Sequence, residues 1–177
     1  SIGYELYCKL VDEQIRRIKG EYVPEESDEI SVELPLPANI PNWYIENESL
    51  KLAIYKKISG VNSENKEDEM VDELLDRFGD VPKETMNLIR ISRVQALCQE
   101  VSVLRIYAQN NRIFFSFGEK NCLTPFAIVN INDKFKGRAF IHGGKEPYIR
   151  IPQVKGLILK DCLELLNIIK ENMKDAI

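Results

Sequence analysis

SVLRIYAQNNRIFFSF, residues 102–117, decides the fold class. Apolar and aromatic residues crowd both halves, and Asn110-Asn111 separates them. Asparagine tolerates the positive φ of a tight turn, so the stretch predicts a β-hairpin. What precedes it reads differently. PKETMNLIRISRVQALCQE, residues 82–100, predicts a helix that Pro82 opens, since proline loses nothing in a first turn. Before that, Val71, Leu74, Leu75 and Phe78 form the apolar stripe of a helix capped by Asn62 or Ser63, with Gly79 suited to a left-handed cap at its end. ESLKLAIYKKIS, residues 48–59, predicts another helix that stops near Gly60.

Further outward the same logic holds. GYELYCKLVDEQIRRIKG, residues 3–20, carries Leu6, Leu10, Val11, Ile15 and Ile18 at helical spacing, with Gly20 as a stop. EYVPEESDE lacks periodicity and reads as a loop. ISVELPL alternates Ile30, Val32 and Leu34 and predicts a short strand. Pro35, Pro37 and Pro41 then force an extended connection. After the hairpin, RAFIHGGKEPYIRIP predicts strand–turn–strand and LILKDCLELLNIIKENM a last helix. Helices first and strands later, without regular alternation, give an α+β fold: N-terminal helices, a small mostly antiparallel sheet, and a C-terminal helix. The expected organisation is one domain over residues 1–177. Its helical part covers about 1–100, its strand-rich part 101–156, and its final helix 157–174.

The 177 residues are 44% apolar and 29% charged, ordinary values for a globular domain. No apolar run approaches the roughly 20 residues that cross a bilayer. The start lacks the pattern of a signal peptide and an initiator methionine, which leads us to expect a piece of a longer protein. Cys8, Cys98, Cys122 and Cys162 lie too far apart for a zinc site or redox pair. Cys98 and Cys162 fall in apolar helical patterns and read as small core residues. The expected compartment is the reducing cytoplasm.

Catalytic equipment is sparse. The single histidine, His142, stands beside Gly143-Gly144 in an expected turn, with no second ligand at metal spacing. IHGGKEP lacks the spacing of a phosphate loop. Glu69, Asp72, Glu73 and Asp76 fall on one helix face. Carboxylates on one helix splay outward, however, and cannot enclose an ion. We therefore expect no catalytic residue, cofactor or metal in this chain. An enzyme using the acid cluster would need these carboxylates to converge in a pocket.

The net charge of −4 opposes general nucleic-acid binding, but the charge is uneven. Residues 62–80 carry eight acids and two bases; residues 133–160 carry seven bases and two acids. A nucleic-acid-binding module built on that basic stretch is the alternative reading. It requires Lys134, Lys136, Arg138, Arg150 and Lys155 to share one face.

DELLDRFGDVP, residues 72–82, poses the sharpest question. Acids near a helix C-terminus each cost about 0.3–1 kcal/mol. The pair Glu73–Arg77, at i,i+4 with the acid first, returns about 0.2–0.5 kcal/mol. Asp76 gains nothing evident. One answer is a solvated polar face; the other is an unrecognised contact at this helix end.

The same residues carry a resemblance. Gly3-Tyr4-Glu5-Leu6-Tyr7 is one motif. Val32, Leu34, Pro37, Ala38, Ile40, Pro41, Tyr44 and Ile45 form a second, and Leu52, Tyr55 and Lys56 a third. Glu73 to Gly79 followed by Pro82 forms the fourth. Their order and spacing resemble the C-terminal domain of bacterial transcription-repair coupling factor. Leu75, Asn39 and Lys51 depart mildly from that pattern. Beyond about residue 100 the resemblance rests on length and pattern only.

The resemblance implies a parent that is a large ATP-driven DNA translocase of transcription-coupled excision repair. It implies no catalysis by this domain. The domain would pack on the N-terminal module that binds the damage-recognition protein, and mask it. RNA polymerase and the damage-recognition protein would be indirect partners, with no membrane and no strong nucleic-acid binding by the domain alone. Glu73, Asp76 and Arg77 would make the interdomain contact. Phe78, Gly79 and Pro82 would be structural: a core anchor, a cap and a helix start.

Overall fold

The computed structural model describes Val11, Ile15, residues 30–120 and residues 122–173. The helix expected over residues 3–20 and the loop after it lie outside the described residues, apart from Val11 and Ile15, both helical. The chain forms two compact units. Of the described residues, one contains Leu36–Ser92; the other contains Ile30–Pro35 and those from Arg93 onward.

Helix α1 (Glu48–Ser59) and helix α2 (Glu64–Phe78) belong to the first unit. Each starts where the sequence predicts, because each has a capping side chain. Asn47 accepts from the Leu50 N–H and Ser63 from the Lys66 N–H, satisfying donors that the first turn leaves free. Ile54, Tyr55 and Ile58 turn α1 inward. The Tyr55 hydroxyl accepts the Ile40 N–H at 2.8 Å and so holds the proline-rich segment to α1. Thr85 and Asn87 secure the same segment by donating to the carbonyls of Asn39 and Pro37. They lie on helix α3 (Lys83–Val101), of which residues 83–92 belong to this unit and 93–101 to the other.

The buried face of α2 differs from the expected stripe. Glu67, Met70 and Leu74 are buried, Val71 and Phe78 only half-buried, and Leu75 is 47% exposed. A glutamate can occupy the buried side because Arg90 Nε reaches its Oε1 at 3.0 Å. Gly79 ends the helix with φ 88°, as expected for a glycine stop. Its ψ of −163° is extended rather than left-handed helical, a region that only glycine occupies freely.

The second unit is built on a five-stranded sheet of order β1-β2-β3-β5-β4. The strands are β1 (Ser31–Glu33), β2 (Val103–Gln109), β3 (Arg112–Phe117), β4 (Phe140–His142) and β5 (Tyr148–Pro152). Three pairings are antiparallel. β1 adds parallel to β2, with Val32 opposite Ile106. The expected hairpin is β2–β3, and Asn110 and Asn111 have φ of 52° and 59°, the geometry of a type I′ turn. Ile106, Ile113, Phe115, Ile149 and Ile151 are buried on one sheet face.

Helix α4 (Pro125–Lys134) stands where the sequence predicts only the strand-rich part. Its start is well made: the Thr124 hydroxyl accepts from the Ala127 N–H and donates to the Asn172 carbonyl, and Pro125 stands in the first turn. Helix α5 (Ile158–Glu171) closes the unit and buries Leu159, Cys162, Leu165, Leu166 and Ile169. Cys98 and Cys162 are core residues, as expected.

Candidate interaction site at the end of helix α2

The last turns of α2 gather the residues the sequence singled out. Lys57, from the last turn of α1, places its ammonium 3.0 Å from both oxygens of Glu73. Arg77 Nη1 lies 3.0 Å from Glu73 Oε2, the expected i,i+4 pair. Hydrogen bonds from Lys57 and Arg77 hold the Glu73 carboxyl below the usual glutamate value. Glu73 is therefore the hinge of a small ion network, a role the sequence did not reveal because Lys57 lies on another helix. Asp76 is exposed, and among the described residues no cation pairs with it.

Apolar groups flank these charges. Arg77 lies over the Phe78 ring, 5.0 Å from its centroid. Phe78 meets Tyr44 at a centroid separation of 5.8 Å, and Tyr44 meets Trp43 edge-on at 5.9 Å. The Tyr44 hydroxyl lies 2.8 Å from the Gly79 carbonyl and 3.2 Å from that of Leu74, so it ties down the helix end. Burial, and then the Asp80 carboxylate, pushes this phenol above its ordinary value. Trp43 is 76% exposed.

Glu73, Asp76 and Arg77 thus share one helix end, as the sequence suggested. Leu75 is beside them rather than on the opposite, buried side. Phe78 is a half-buried bracket between Arg77 and Tyr44, not a fully buried anchor. Pro82 is buried and its carbonyl accepts from Thr85 and Met86, so it starts α3 from the position before the first helical residue. Leu75 and Trp43 went unrecognised. No local signal separated Leu75 from Leu74, since neighbouring leucines can both be buried, as Leu165 and Leu166 are in α5.

The other candidates are dispersed. Glu69, Asp72 and Asp76 are exposed, and among the described residues no three metal-ligating side chains converge. His142 ends β4 rather than standing in a turn, and it stacks on Tyr148. Of the basic set, Lys134 lies 3.6 Å from Glu164 and Arg138 Nε donates to the Phe135 carbonyl. Arg150, on β5, lies over Phe140. These three are held by different partners on different elements. Among the described residues no helix is long and apolar enough to cross a membrane.

In class, the chain is an α+β domain with an exposed, charged and aromatic helix end. The TRCF domain family matches residues 34–128, more than half of the chain, and the chain belongs to that family. A transcription-repair-coupling factor of Rickettsia typhi is 34% identical over 168 residues, covering 94% of this chain and 15% of that protein. Its counterpart in Haemophilus influenzae is 31% identical over 138 residues, 76% of this chain and 12% of that protein. The chain therefore spans a small fraction of the length of these relatives. A crystal structure of the C-terminal domain of transcription-repair coupling factor superposes with a TM-score of 0.71 at 23% identity, over 84% of this chain and 97% of that one. That likeness shows the fold.

Proposed function

We propose that this chain is a non-catalytic regulatory domain of a transcription-repair coupling factor, an ATP-driven DNA translocase of transcription-coupled excision repair that works with RNA polymerase in the cytoplasm. The domain docks on the N-terminal module of its parent and masks the surface that binds the damage-recognition protein. Family membership supports the setting. One observation carries the docking: Asp76 sits at the helix end where the dipole disfavours it, without a cation among the described residues, beside the exposed Leu75. A partner surface that supplies an arginine or lysine to Asp76 and an apolar wall to Leu75 completes both.

The test is made in the full-length parent. Asp76→Ala combined with Leu75→Ser leaves the domain folded, because both side chains are exposed, and raises affinity for the damage-recognition protein at least several-fold. Unchanged affinity refutes masking through this helix end. Glu73→Ala and Arg77→Ala act more weakly, since those two side chains already satisfy each other.

A further inference from the structure

The sheet of the second unit has a second face, and its side chains are not those of an ordinary solvated surface. Residues alternate across a strand, so the partners of the buried isoleucines point the other way. In register across the strands lie Tyr107 opposite Phe114, Phe114 opposite Arg150, and Arg150 opposite Phe140. The rings touch in sequence. Tyr107 stacks on Phe114 at 5.0 Å and 6°, Phe114 meets Tyr148 at 5.7 Å, and Tyr148 meets Phe140 at 6.2 Å. Guanidiniums lie against two of the rings: Arg105 is 4.2 Å from the Tyr107 centroid, and Arg150, in register between Phe114 and Phe140, is 4.4 Å from that of Phe140. Phe140 is 44% exposed and Arg105 is exposed.

Tyr107, Phe114, Tyr148 and Arg150 are half-exposed, and the face is positively charged. Arg112 lies on the same face, two residues before Phe114 on β3. Among the described residues no carboxylate pairs with Arg105, Arg112 or Arg150. Among the described strand residues this face carries one acid, Glu33 on β1, whose carboxylate accepts from Ser31; Glu146 stands at the margin. At the margin an open groove of about 480 Å³ is lined by Tyr107, Ser116, His142, Glu146 and Tyr148 among others. Planar groups on which a base can stack, interleaved with cations that can meet phosphate, are what an unpaired strand requires.

We propose that this sheet face binds single-stranded nucleic acid. Bases stack on the exposed guanidinium of Arg105 and on the exposed part of Phe140. Arg105, Arg112 and Arg150 neutralise phosphates. Double-stranded DNA is discriminated against, because its bases are stacked inside the duplex and cannot reach the row. Three arginines on a chain of net charge −4 give weak binding, with Kd between about 1 and 100 µM, the range of non-specific nucleic-acid association.

The test is fluorescence anisotropy of the 177-residue chain with a labelled oligothymidylate of about 12 nucleotides, within the roughly 4–16 that single-strand-binding folds occupy. The expected result is saturable binding whose logarithm falls with log salt at a slope of about −2, from three phosphates at about −0.7 each. Arg105→Ala and Arg150→Ala each weaken it several-fold and flatten that slope, and duplex of the same length binds more weakly. Lys83→Ala, on α3, leaves it unchanged. Absence of binding at about 100 µM protein overturns the proposal, as does equal affinity for duplex. An equal loss from Lys83→Ala shows diffuse charge attraction and also overturns it. So does failure of the oligonucleotide to compete with an acidic, aromatic-rich peptide that binds the row, which makes the face a protein-docking surface.

Discussion

Phe78 shows how far a single residue can be read from sequence. Its place in an apolar stripe suggested burial, and a fully buried phenylalanine truncated to alanine costs about 3–5 kcal/mol. The structure gives it one flank against Tyr44 and another beneath Arg77, with the rest in solvent. Phe78→Ala is therefore expected to cost about 1.5–2.5 kcal/mol, half the buried value. Urea denaturation of wild type and mutant measures it; a loss at the top of the fully buried range means the ring is enclosed. That Asp76 stands exposed at a helix end follows from the chain order alone, which is all the dipole argument needs. Leu75 was misread because the stripe was drawn through Val71 and Phe78, whereas the buried line runs through Glu67, Met70 and Leu74. A buried glutamate is invisible to an apolar pattern until its partner, Arg90, is known.

At the scale of elements, α1 and α2 are joined by the ion network on Glu73. The native Glu73 carboxyl titrates below its ordinary value of 4.5, chiefly through the Lys57 hydrogen bond. A depressed carboxyl stabilises the native state fully above its unfolded value and loses that contribution as pH falls through the native one. Lys57→Ala is thus expected to lower stability near neutral pH by about 0.2–1 kcal/mol, because the pair is exposed, and to make no difference at a pH low enough to protonate Glu73 in the native state. Denaturation of the two proteins at both pH values checks this; a difference that persists in acid assigns the effect to packing of the lysine stem. Element boundaries were legible wherever a cap or turn residue marked them, as at Ser63, Gly79 and Asn110-Asn111. Helix α4 had such marks in Thr124 and Pro125. It was missed because Phe126, Ile128 and Val129 stay exposed while Ala127 and Ile131 are buried, so apolar residues run around the helix and no stripe emerges. The parallel pairing of β1 with β2 was illegible for another reason: its partners lie far apart in the chain, and no local pattern joins them.

For the whole molecule, the α+β class followed from the change of period near residue 102, while the division into two compact units did not. The units do not follow chain order, since β1 belongs with the later sheet. The core of that sheet-bearing unit offers a direct probe. Burial pushes the Cys98 thiol up to about 12, and burial with the neighbouring Cys98 and Asp161 pushes Cys162 up as well. Neither presents a thiolate at neutral pH. Iodoacetamide is expected to label the half-exposed Cys122 in the native protein and to reach Cys98 and Cys162 only after denaturant is added. Peptide mass mapping resolves the three sites; native labelling of Cys98 at the rate of Cys122 shows that this core opens readily.

The outermost strands, β1 and β4, are only three residues long, and Pro35 and Pro37 follow β1 closely. Longer strands lie inside them, already paired on both sides. A foreign strand approaching either border finds few free amide and carbonyl groups to template on, and at one border it meets prolines that cannot extend the ladder. The sheet is in this way guarded against runaway self-assembly, and the row of rings on its open face can remain exposed without making the borders sticky.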